Sequence, residues 1–139
     1  MKFFSTLFFL VFSLKLFGSE GIIIEGPVIR LTPPKAPVTA IYLKMTNHHN
    51  KNISLIDVKS DLAEKFELHN MEMNAGKMVM RKVESILIKP HSTTELKSGG
   101  LHIMVFKMKQ DLKAGDIHKL TLIFDDKISL TTSAKVEKL

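Results

Sequence analysis

The chain has 139 residues, of which 45% are apolar and 24% charged, and it contains no cysteine. That length suffices for one globular domain around one hydrophobic core but not for two, and without cysteine there is no disulfide framework, no thiolate nucleophile and no thiolate metal ligand. The net charge of +6 is interleaved with acids, as in Lys59-Ser60-Asp61 and Glu64-Lys65-Phe66-Glu67, and no basic run carries aromatics, so no nucleic-acid partner is expected.

Residues 1–19 read as a secretory signal peptide: Lys2 is followed by an apolar run, Phe3 to Leu14, broken only by small hydroxyl residues, and Gly18 and Ser19 are small enough for a cleavage site. The run is about 12 residues, short of the ~20 that a spanning helix needs. The expectation is therefore export, a processed domain at residues 20–139 and no stable membrane insertion after processing. Lys15 and Leu16 make the cleavage signal imperfect, which leaves an uncleaved anchor as the alternative.

From residue 21 onward the hydrophobic period is close to two, β-branched residues are frequent, and turn residues recur every eight to twelve positions. Strands are predicted at Ile22–Arg30, Thr39–Thr46, Ile53–Ser60, Lys65–Asn70, Lys77–Val83, Ser85–Ile88, Thr93–Leu96, Leu101–Lys107, Lys119–Phe124 and Ile128–Val136. Pro33-Pro34-Lys35-Ala36-Pro37 separates the first two, Asn47 to Asn52 reads as a polar hairpin loop, and Asn74-Ala75-Gly76, Lys97 to Gly100, Ala114-Gly115-Asp116 and Asp125-Asp126 read as turns. Many short strands with such punctuation predict an all-β Greek-key sandwich or barrel.

Eight methionines and six histidines stand against the missing cysteine, and four of the methionines lie between positions 71 and 80. A soft-metal site in this chain has to be built from thioether and imidazole. His102-Ile103-Met104 sits in an otherwise apolar strand, where residues i and i+2 face the same way about 6.5 to 7 Å apart, so one ion can reach both. In the strand around Leu68, Glu67, His69 and Met71 share a face, and the hairpin turned by Asn74-Ala75-Gly76 brings Met80 back toward His69. Two imidazoles and two thioethers form a neutral set that favours Cu(I), binds Zn(II) poorly and lacks the thiolate of a blue-copper centre. Taken singly, each methionine also fits core packing and each histidine a hydrogen-bonded core position.

The joint spacing is more specific: ten residues lie between His69 and Met80, twenty-one between Met80 and His102, and one between His102 and Met104. This His-X10-Met-X21-His-X-Met pattern resembles the metal-binding signature of periplasmic copper chaperones of the PCu(A)C type, without insertion or deletion. Ala40 to Asn47, Leu68-His69, Glu95 to Met104, and Leu112 to Asp116 followed by Leu120 to Phe124 also resemble that family. The resemblance implies a cupredoxin-like fold, no enzymatic activity, one Cu(I) held by His69, Met80, His102 and Met104, and delivery of that copper to a respiratory oxidase subunit or to another copper chaperone. The His- and Met-rich C-terminal tail of some members is absent, since Ala134 to Leu139 contains neither residue, so a second Cu(II) site is not expected.

The remaining candidates are weaker. His48 and His49 lie in a polar loop, His91 and His118 have no partner legible in the sequence, and Met45, Met78 and Met108 read as packing, while Met71, Met73 and Met78 are also candidates for a capture surface beside the site. No nucleophile elbow, paired carboxylates or phosphate loop suggests catalysis. The alternative functions are an exported copper redox protein or electron carrier, and a structural β-sandwich with incidental His and Met.

Overall fold

A computed structural model describes residues 21–139, so the leader expected at residues 1–19 lies outside the described part. The described residues contain no helix. Ten strands follow in order: β1 (Ile22–Arg30), β2 (Val38–Asn47), β3 (Ile53–Lys59), β4 (Ala63–Asn74), β5 (Lys77–Val83), β6 (Ile86–Ile88), β7 (Thr93–Leu96), β8 (His102–Met108), β9 (Ile117–Phe124) and β10 (Ser129–Glu137). The expected all-β class is the one observed, and most strand bounds agree within one or two residues. The exception is β4, which runs on through Met71, Glu72 and Met73 because the turn is made only at Ala75 and Gly76, both with positive φ (50° and 78°).

The strands pair in the order β5-β4-β8-β2-β1-β10-β9-β3-β6, with β7 added to β2. Every pairing is antiparallel except β1 with β10. The sheet bends at irregularities between Glu25 and Val28 and between Leu55 and Asp57, which let a long sheet curl over its own apolar face. Phe124, Ile41, Met45, Leu55, Ile103 and Leu120 are among the side chains fully enclosed there.

One edge of β2 carries two strands end to end. β8 pairs with Val38 to Ile41 and β7 with Leu43 to Thr46. The link between them, residues 97–101, is pinned by the Lys97 N–H to the Leu101 carbonyl (2.9 Å) and the Gly100 N–H to the Lys97 carbonyl (3.0 Å). At this fork β8 leaves the path of β7 and becomes an interior strand between β2 and β4, with His102 through Val105 all buried. Burial on both faces accounts for its apolar run from Ile103 to Phe106.

The segment Asn47 to Asn52 is only partly the loop expected. Asn47 ends β2 and is fully buried, its amide donating to the Lys51 carbonyl (2.8 Å) and the Ile88 carbonyl (3.0 Å) and its side-chain oxygen accepting the His49 N–H (2.8 Å).

Candidate metal centre

The strand registers assemble the expected donors on one face. β4 and β8 place His69 directly opposite His102 and Glu67 opposite Met104. β4 and β5 place Met80 opposite Met71, one rung farther along, and Lys82 opposite His69. Because side chains alternate between faces, His69, Met71, Met80, His102 and Met104 all emerge on the same side. The imidazole centroids are 5.7 Å apart, with the rings inclined at 41°. The two-residue turn at Ala75-Gly76 sets this register, and a slip of one residue would send Met80 to the opposite face.

The donors are not equally accessible. His102 is 4% exposed and His69 and Met104 are each 9%, whereas Met80 is 48%. A cavity of about 350 Å³ opens over them, lined by Met71, Met80, His102 and Met104 together with Ala40 and Tyr42. His69 lies behind that lining, its ring against those of His102 and, at 6.1 Å, Phe106.

Hydrogen bonds leave one nitrogen of each imidazole unengaged. His102 Nδ1–H donates to the Gly100 carbonyl at 2.7 Å, and since a carbonyl only accepts, the lone pair is on Nε2. His69 Nε2–H donates to Glu67 Oε2 at 2.7 Å, and Nδ1 is buried without a hydrogen-bond partner among the described residues. A buried acceptor left unpaired costs about 1 to 3 kcal/mol. Histidines that ligate metals are oriented in this way, one nitrogen held by an oxygen acceptor and the other free. Two free imidazole nitrogens beside two thioethers form a neutral, soft donor set that suits a monovalent soft cation.

Glu67 is the residue that inspection of the sequence missed. Its side chain is largely covered, and Lys65 (3.1 Å) and Lys82 (3.7 Å) flank its second oxygen. The His69 hydrogen bond, joined by these lysines, outweighs the opposing effect of burial and holds the Glu67 carboxyl below its ordinary range. Glu67 is therefore ionised and oriented toward His69. The signal available in the sequence was its position two residues before His69 on the same strand face.

None of the remaining histidines lines the cavity over these donors. His91 Nε2 meets Asn50 Oδ1 at 2.8 Å, and among the described residues no group of three or more His, Cys, Asp or Glu is placed to hold a metal ion. Met45 is buried and Met108 packs against the core, as expected. Met78 is not packing: it is 51% exposed, because β5 extends past the edge of the core.

A copper-bound PCuAC domain from PmoF2 superposes with a TM-score of 0.73 at 24% identity, covering 85% of this chain and 93% of that one, and shares its cupredoxin-like fold. The Cu(I) form of DR1885 from Deinococcus radiodurans matches with a TM-score of 0.67 at 28% identity, over 84% of this chain and 77% of that one. Among curated proteins, the uncharacterised protein RP573 of Rickettsia prowazekii (strain Madrid E) is 33% identical over 103 residues, which is 73% of this chain. The chain spans 57% of that relative's length. Residues 22–136, nearly everything from β1 to β10, match the LpqE-like lipoprotein family model, and the chain belongs to the LpqE-like family.

Proposed function

We propose that this protein is an exported copper metallochaperone that carries one Cu(I) on His69, Met80, His102 and Met104 and delivers it for assembly of respiratory oxidase copper centres, to an oxidase subunit or through another chaperone. The observation that carries the reading is the direct pairing of His69 with His102, each with one nitrogen free, on the face that also presents Met104 and Met80. Likeness to a Cu(I)-loaded protein at 28% identity supports copper as the cargo.

The geometry also suits transfer. Three donors are sunk and one is half exposed, so an acceptor approaching through the cavity would meet Met80 first and could replace it while the other three still hold the ion. The donors are neutral, and the ionised Glu67 behind His69 would supply the compensating charge for a bound monovalent cation. The ligand set contains no thiolate, which weighs against a blue-copper electron carrier.

Export rests on the apolar leader at residues 1–19, and a periplasmic destination on the resemblance of the His-X10-Met-X21-His-X-Met pattern to periplasmic copper chaperones. The family model is that of lipoproteins, whereas these 139 residues contain no cysteine.

The test is a competition titration of Cu(I) and Zn(II) against chromophoric chelators, with X-ray absorption of the Cu(I) form. One Cu(I) bound far more tightly than Zn(II), with mixed nitrogen and sulfur scattering, is expected. Equal affinity for Zn(II), or scattering without sulfur, would overturn the assignment.

A further inference from the structure

Beyond the histidines, the β4–β5 hairpin continues as a ladder of methionines. Met71 faces Met80 and Met73 faces Met78 across the strands, all four on the face that carries His69. Met73 is 66% and Met78 51% exposed, and the two stand side by side at the hairpin tip. The opposite face of the hairpin is occupied by Glu72 and Arg81, paired at 3.0 Å. Sulfur is thus segregated to the face of the candidate metal centre.

Distance makes the outer rung a separate site. Met73 lies four residues along β4 from His69, and at 3.2 to 3.4 Å per residue that is about 13 Å. No ion on His69 and His102 can be held by Met73 or Met78. Directly opposed side chains, however, have Cβ atoms about 4.5 to 5.5 Å apart, and methionine has three rotatable side-chain bonds, so the two sulfurs of the outer rung can close on one ion. The middle rung, Met71 and Met80, lies halfway and joins the two.

We propose that Met73 and Met78 form a second, weaker Cu(I) site at the hairpin tip, from which the ion passes by way of Met71 and Met80 to the two histidines. The inference rests on the copper reading above. Copper remains Cu(I) throughout, and each step only exchanges one neutral donor for another, thioether for thioether along the hairpin and thioether for imidazole at the last. The rung presents two thioethers with no imidazole or carboxylate beside them on that face, a set that suits Cu(I) and disfavours Zn(II) or Mg(II). A competing use of the same surface is apolar docking of a protein partner, and leucine separates the two because it keeps size and hydrophobicity while removing sulfur.

The experiment is an anaerobic Cu(I) titration of the protein with methionine methyl groups labelled with carbon-13, followed by NMR, for the wild type and for Met73→Leu, Met78→Leu. The Met80 and Met104 methyls should move over the first equivalent, and those of Met73 and Met78 over a second that binds at least ~10-fold more weakly, having two donors instead of four. The double variant should retain the first event, lose the second, and load from a Cu(I)–thiolate donor several-fold more slowly. Stationary Met73 and Met78 methyls through three equivalents, or a second event that survives in the leucine variant, would overturn the proposal. If Met80 and Met104 shift while the outer pair does not, this inference alone fails; if Met80 and Met104 do not shift, the chaperone reading fails with it.

Discussion

Met104→Ile separates a ligand from a packing residue. Met104 is 9% exposed, stands opposite Ala40 on one side and Glu67 on the other, and lines the cavity beside His102. Isoleucine is apolar, of similar volume and well suited to a strand, so the apo protein should lose no more than about 1.5 kcal/mol, compared with about 2 to 5 for truncation to alanine. For a domain of this size that is a fall in Tm of about 5 to 9 °C at most. Loss of one donor in four should weaken Cu(I) binding by ~100-fold or more, about 2.7 kcal/mol. Met80→Leu removes the same sulfur from a half-exposed position, so its affinity loss should be comparable while its stability changes by less than about 0.5 kcal/mol. Thermal melting of the apo forms and chelator competition for Cu(I) measure the two quantities separately. A Met104→Ile protein that melts far lower yet binds copper with unchanged affinity would show that Met104 is packing and that the four-donor site is wrong.

Glu67→Gln should lower Cu(I) affinity about 10- to 100-fold, the usual effect of losing the partner that orients a ligating histidine. Because the folded-state pKa of Glu67 is depressed, first by the His69 hydrogen bond, its contribution to stability is present above its ordinary value of 4.5 and lost as pH falls through the lower folded value. Urea midpoints of wild type and Glu67→Gln should therefore converge on acidification below that range, and a gap constant down to pH 2 would refute the pairing. Ala75 holds φ at 50° in the first position of a two-residue turn, so Ala75→Asn should stabilise by about 0.5 to 1 kcal/mol in chemical denaturation, with no gain expected if the turn is not left-handed. Asn47→Ala leaves two carbonyls and one N–H without their partner and should cost about 2 to 4 kcal/mol, and a loss under 1 kcal/mol by the same assay would contradict the buried arrangement.

What could be read before any coordinates were those features that local geometry decides. His102 and Met104 share a face because a strand has period two, and that much needs only the segment itself. β4 runs past the strand end expected at Asn70 because Asn74, whose residue type suits a turn, still pairs with Lys77 in the ladder. The opposition of His69 to His102 depends on two strands separated by three others in sequence, and no periodicity reports that. Met78 shows the same limit from the other side. Its alternation with Lys77 and Val79 tells which face it takes but not whether anything covers that face. The order of β7 and β8 along one edge of β2, and the parallel pairing of β1 with β10, are likewise products of the closed core and not of any segment alone.

The fork at which β7 gives way to β8 bears on how quickly cargo could change hands. The link of residues 97–101 is held by its own backbone hydrogen bonds, and the Gly100 carbonyl in that link orients His102. His69 is held by Glu67 in the same manner, so neither ring needs a loop to order before an ion arrives. The candidate centre is a socket already set, with one movable contact at Met80. Exposed side chains change rotamer in picoseconds to nanoseconds, whereas loops need nanoseconds to microseconds. Exchange at such a socket would be governed by how often a partner collides in the right orientation, and a tighter grip would have to come from immobilising Met80, not from rebuilding the scaffold.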